Sequence, residues 1–330
     1  MPKPSSGCAN DHKENNVKDV SFTFCFQPDS ASEYVARMAV LHPLSRLLMG
    51  GKIPKTDEER RALMNRIVKI WRQRVSALCQ LGTLRFSSRE ISWARNCAVW
   101  GYAVKKYGPS TPFCKRRDIC PWCYGREVSA LYHIVERVIQ PEDAIVTATS
   151  EDCDNVNMTS EQLRRKLWVD CYRMSGLVRA NALCRASFWS VTVDPPLFSE
   201  SQETKKPLPL CIRSRIFMLI PENEPHILIP GTDGWSHSRD SRPDEERRKR
   251  MIAKICSYPT GLLLGTPEAT KGALDLHVKM RLAAKTGDFR GVSAEILDPS
   301  SGDADDQTPE NCNSRESMPA TGFTAAQFSG

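Results

Sequence analysis

The 330-residue chain has no apolar run approaching the roughly 18 residues needed to cross a bilayer, so a membrane-spanning helix is not expected. Its opening stretch, "MPKPSSGCANDHKENNVKD", lacks the apolar core of a signal peptide. No internal repeat is present, which argues against solenoids and propellers. Basic residues are nearly missing from the end of the chain. From Leu297 onward six acids (Asp298, Asp303, Asp305, Asp306, Glu310, Glu316) face one base, Arg315. These absences lead to the expectation of a soluble, cytoplasmic protein with no membrane partner.

Cysteine is plentiful. Thirteen are spread along the chain, an odd number without a secretory signal, which predicts free thiols or metal ligands in place of a disulfide framework. Cys79, Cys171 and Cys184 lie on apolar helical patterns and read as small core residues. The formal charge is +7, and the −5 of the acidic tail leaves +12 on the rest. A basic body of this kind favours a polyanionic partner, DNA above all, through phosphate contacts and counterion release.

Residues 1–30 and 297–330 are rich in Ser, Asp, Asn, Gly and Pro without periodicity and are expected to be disordered. The folded part is expected over 31–296. "TDEERRALMNRIVKIWRQRVSALCQLG" opens with Thr56 and Glu59 in a capping-box pattern. It carries Leu63, Ile67, Trp71, Val75 and Leu78 at helical spacing and stops at Gly82. "SREISWARNCAVWGYAVKKYG" and "GREVSALYHIVERVI" predict two further helices. "DAIVTATS", "SFWSVTVDPP" and "LCIRSRIFMLIP" predict strands, and a capped helix from Thr159 separates the first two. "PDEERRKRMIAKICSYP" predicts a helix. So does "TPEATKGALDLHVKMRLAAKTG", which ends at Gly287 and leads into an edge strand at "DFRGV". This order predicts an α+β fold, an antiparallel sheet with helices on one face.

In "FCKRRDICPWCYGREV", Cys120 and Cys123 form a C-x2-C knuckle and Cys114 stands six positions earlier. Two thiolates at that spacing reach one tetrahedral Zn²⁺. Cys97 is the first candidate for the fourth ligand and His133 the second. Lys115, Arg116, Arg117 and Arg126 surround the cluster and favour thiolates. The competing readings are a redox C-x2-C, which here lacks a preceding thioredoxin-like strand, and three unrelated core cysteines. Four protein ligands would make the zinc structural.

The residues Cys97, Phe113, Cys114, Arg117, Cys120, Pro121, Cys123 and Arg126 resemble the cysteine segment of plasmid rolling-circle replication initiators, the Rep proteins of the HUH endonuclease superfamily. "AIVTATS", "SFWSVTV" and "LDLHVKMRLAAKTGDFRGV" follow in a similar order, so the resemblance spans about Trp93 to Val292. It implies a HUH-type sheet with an inserted zinc knuckle at 97–123, and DNA nicking by a tyrosine that becomes linked to the 5′-phosphate. It also implies Mg²⁺ or Mn²⁺ held by an H-x-H pair to polarise the scissile phosphate. The chain departs from that pattern. None of its six histidines forms H-x-H, and the matching strand carries Arg213 and Arg215, two apart and so on one face. Arginines grip phosphate but bind no divalent cation. His226 is the remaining histidine candidate, and Tyr258, after a basic helix, is the nucleophile candidate. The expected function is recognition of a plasmid or mobile-element origin. The chain is either a tyrosine-dependent, divalent-metal-dependent nickase or a form that binds without cutting. The alternative is a non-catalytic zinc-binding nucleic-acid regulator. Expected DNA contacts are Lys115, Arg116, Arg117, Arg126, Arg213 and Arg215.

Overall fold

The computed structural model describes residues 31–49, 55–95, 97, 114–153, 158–180, 183–195, 210–223, 232–241, 243–278 and 280–292. The expected disorder of 1–30 and 297–330 and the histidine candidate His226 fall outside these residues. Five strands form one antiparallel sheet in the order β4-β1-β3-β2-β5: β1 Asp143–Asp152, β2 Ala186–Asp194, β3 Cys211–Pro221, β4 Ser236–Ser241 and β5 Ala283–Gly287. The helices are α1 Ala31–Leu48, α2 Asp57–Leu81, α3 over residues 88–95, α4 Pro121–Val138, α5 Ser160–Ala180, α6 Glu245–Ile255, α7 Gly261–Leu264 and α8 Pro267–Leu276. Among the described residues no helix is long and apolar enough to cross a membrane.

Local chemistry explains the helix ends. Thr56 Oγ1 accepts from Glu59 N, and Glu59 Oε2 accepts from Thr56 N, a reciprocal capping box that satisfies two otherwise unpaired donors. Gly82 closes α2 at φ 65°. Thr159 and Gln162 make the same reciprocal pair at the start of α5. The helix expected from "GREV" begins four residues earlier, at Pro121, because a proline has no N–H to lose in the first turn.

Strand alternation sorts the core into two halves. Ala144, Val146, Ala148, Trp189, Val191, Ile216 and Met218 face one way. They are buried with Leu163, Leu167, Met174 and Val178 of α5 and with residues of α2, α7 and α8. Ile145, Phe188, Phe217 and Leu219 face the other way. They pack with Val35 of α1, Val128 and Val135 of α4, and Ile252 and Ile255 of α6. The expectation of helices on one face is thereby corrected: helices cover both, because β1, β2 and β3 are apolar on both sides and each side must be removed from water.

The C-terminal reading also changes. α8 stops at Leu276, and Ala283–Gly287, expected as helix, is strand β5. Pairing with the outer edge of β2 supplies that strand's backbone hydrogen bonds, and tertiary pairing here overrides helical propensity. "DFRGV", expected as the edge strand, contributes a 3₁₀ turn at Asp288–Arg290. Cys153 and Cys211, which face each other where β1 and β3 end with Cα atoms 4.3 Å apart, are joined as a disulfide. The expectation of free thiols did not include that pairing.

Candidate metal centre and the polar end of the sheet

The first constellation is a four-sulfur cluster. Cys97 stands in helical conformation at the end of α3, Cys114 lies in the loop before α4, Cys120 is the N-cap of α4, and Cys123 lies in its first turn. Their four sulfurs all lie within 4.8 Å of one another, with Cys114–Cys123 at 3.3 Å and Cys97–Cys123 at 3.7 Å. A tetrahedral ion about 2.3 Å from each sulfur sets them roughly 3.8 Å apart, so the donors fit one metal ion. All four cysteines are buried.

The surroundings act unequally on the four thiols. Lys115 adopts φ 55°, a left-handed turn that is uncommon for a residue with a side chain. Just after it the backbone N–H of Arg116 donates to Cys114 Sγ at 3.5 Å. The N-terminus of α4, with its free N–H groups, adds positive potential beside Cys120 and Cys123. Hydrogen bonds from Cys114, Cys120 and Cys97 hold the Cys123 thiol far below its ordinary value, while burial pushes Cys120 well above. Cys114 rises too, the pull of Cys120 outweighed by the sharing with Cys123. Trp71 of α2 braces the loop: its Nε1 donates to Ile119 O at 2.8 Å and its ring lies 5.1 Å from that of Trp122. His133, the second candidate for the fourth ligand, lies farther along α4 against Tyr132 and is outside the cluster.

Two of the basic neighbours are committed to ion pairs. Arg116 pairs with Glu90, and Arg117 with Glu127 and Asp118. Arg126 is half-buried on α4, and Lys115 is exposed. Of the four expected DNA contacts around the cluster, Lys115 is the exposed one and the other three are half-buried.

The second constellation is the polar end of one sheet face. Alternation puts Thr149 and Glu151 of β1, Arg213 and Arg215 of β3, and Ser190, Thr192 and Asp194 of β2 side by side on the face that α1, α4 and α6 cover. Arg213 Nη1 bonds Asp194 Oδ2 at 2.7 Å, and its Nε lies 3.2 Å from Glu151. Arg215 is 6% exposed. Its Nη1 donates to Ser257 O at 3.1 Å, and Tyr124 Oη donates to the same carbonyl at 3.3 Å. A buried guanidinium at the carbonyl end of α6 neutralises that helix terminus.

Tyr258 follows directly. Its N–H donates to Ala39 O at 2.7 Å, and its ring meets that of Tyr124 edge-on at 5.1 Å. The residue is 1% exposed, the phenol oxygen has no hydrogen-bond partner among the described residues, and burial raises its pKa well above the ordinary value. A phenol in this position is out of reach of a phosphate in solvent. Among the described residues the four cysteines are the only group of three or more His, Cys, Asp or Glu side chains placed to hold a metal ion.

Sequence reasoning missed Asp194, which ties the two chain segments of this site together. Its Oδ1 accepts from Gly261 N while its Oδ2 takes Arg213. An acid standing just before Pro195 at the end of a strand was the available signal. The chain matches no protein-family model, no curated protein and no solved structure.

Proposed function

We propose that this chain is a DNA-binding protein diverged from the rolling-circle replication initiators. It holds a structural zinc through Cys97, Cys114, Cys120 and Cys123 and recognises a plasmid or mobile-element origin. The observation that carries the reading is the convergence of four cysteines from the Rep-like segment, spread over 26 positions, on one buried point. Four protein sulfurs leave no open coordination position, so zinc there holds α3, the 114–120 loop and α4 together and performs no chemistry. The net charge of +7 supplies the attraction for phosphate. Arg213 and Arg215 stand on the central strand beside the Ser257–Tyr258 turn, where the resemblance implies a histidine pair and a nucleophile.

Binding without cutting fits best, because the Tyr258 phenol is buried and the two arginines are held by Asp194, Glu151 and Ser257. Fluorescence anisotropy with a labelled duplex below about 50 mM salt should detect binding. No detectable binding there would end the DNA reading. Incubation with supercoiled origin plasmid and Mg²⁺ or Mn²⁺ should leave no protein–DNA adduct, whereas an adduct that disappears in Tyr258→Phe would make the chain a nickase. Metal analysis of native protein should find one zinc per chain.

A further inference from the structure

α5 packs on the sheet face opposite the one that carries Arg213 and Arg215. Leu163, Leu167, Cys171, Met174 and Val178 fill its inner stripe. Its outer side carries two large aromatic residues in solvent, Trp168 at 58% exposure and Tyr172 at 71%. One helical turn apart, their rings are nearly parallel, 5.7 Å between centroids and 14° between planes. Two exposed rings carry a hydration cost that a soluble surface has no reason to concentrate at one spot.

Charge says what fits them. α5 holds Arg164, Arg165, Lys166, Arg173 and Arg179 against Glu161 and Asp170. Arg164, Arg165, Arg173 and Arg179 are exposed. Arg173 lies 5.9 Å over the Trp235 ring, so cation and aromatic groups alternate from α5 toward the start of β4. Beside Trp168 a groove of about 390 Å³ is bordered by Arg164, Arg165, Val278 and Met280, with one acid, Glu161, also on its rim. Flat rings interleaved with guanidinium groups match the alternation of bases and phosphates in an unpaired strand; a duplex hides its base faces.

We infer that the outer face of α5 is a single-stranded DNA platform, with bases stacking on Trp168 and Tyr172 and phosphates held by Arg164 and Arg165. The inference rests on the DNA-binding reading and adds a second contact surface to it, on the other side of the sheet.

The test compares labelled dT20 with a duplex of equal length, for wild type and for Trp168→Ala/Tyr172→Ala, with thermal melting to confirm an intact fold. The double variant should bind dT20 about tenfold or more weakly and the duplex unchanged. Trp168→Phe/Tyr172→Phe should recover most of the loss. Arg164→Ala/Arg165→Ala should make the slope of log K against log salt for dT20 shallower by about 1.4. If wild type binds dT20 and the aromatic variant binds it equally well, the platform is wrong and the DNA-binding reading stands. If wild type binds neither probe at low salt, both fall. If the aromatic variant converts a wild-type dimer to a monomer in sedimentation, the face belongs to a second copy of the chain and the inference is overturned.

Discussion

A Cβ at Gly261 would stand 1.9 Å from the Pro195 carbonyl oxygen and 2.2 Å from Asp194 Oδ1. Both neighbours are held, the first as backbone and the second by Arg213, so neither can yield cheaply. Gly261→Ala should therefore destabilise the protein by about 1–3 kcal/mol or more, read as a lowered urea midpoint; an unchanged midpoint would show that the α7 turn moves freely. Asp194 itself makes a pH prediction. Burial pushes its carboxyl from 3.8 to about 6, more than the Arg213 guanidinium pulls it down. An acid that titrates higher when folded binds its proton more tightly in the folded chain. Stability relative to Asp194→Asn should then fall as pH rises from 3.8 to about 6, by up to about 3 kcal/mol, and stay level above that. Unfolding curves of the two proteins across that window check the sign. Tyr258 marks the limit of residue-level reading. A tyrosine after a basic helix reads alike whether it is a nucleophile or a packed ring, and only the Tyr124 ring and the Ala39 carbonyl around it distinguish the two.

At the scale of elements, the candidate metal centre adds to the Arg116–Glu90 ion pair and to the apolar core that already link its pieces. α3, the 114–120 loop and α4 each contribute sulfur, and Trp71 reaches in from α2. Because the four sulfurs converge only when folded, metal-binding energy is folding energy. Stripping the metal with a strong chelator, or replacing Cys123 with Ser, should lower the melting temperature by about 10 °C or more, with zinc restoring the stripped protein. Equal melting with and without metal would reduce the cluster to ordinary core packing. This element was legible in advance, since C-x2-C spacing and nearby cysteines constrain the ligands locally. β4, "SHSRDS", was not: it has no apolar alternation, and its strand form comes from pairing with β1. α1 was missed too. Its buried residues Val35 and Ala39 are explained by α4 and α6, which cover them. In the sequence Gly287 reads as a helix stop, but its φ of 57° ends a strand beside Arg185. A glycine in that conformation serves either purpose.

For the whole molecule, the excess of positive charge sets a measurable scale. Each phosphate neutralised contributes about −0.9 to the slope of log K against log salt for duplex DNA, so a footprint of four to six phosphates gives a slope of about −3.6 to −5.4. A slope near zero would mean that the basic charge serves solubility and ion pairing alone. Many of the arginines already have such partners: Arg116, Arg117, Arg185, Arg213 and Arg248 all lie in salt bridges. Composition counts charges but not how many are committed inside the fold. By itself the sequence determined the α2 and α5 caps, the three long strands, the Cys114, Cys120 and Cys123 part of the candidate metal centre and the sign of the net charge, because each rests on residues near one another in the chain or on composition; the fold chose Cys97 over His133 as the fourth member of the cluster. Tertiary structure alone decided that both sheet faces are covered, that Ala283–Gly287 pairs as an edge strand, and that Arg215 and Tyr258 lie buried at the end of α6. Those outcomes depend on which distant segments compete to remove the same surfaces from water and to satisfy the same backbone groups, and local pattern carries no record of that competition.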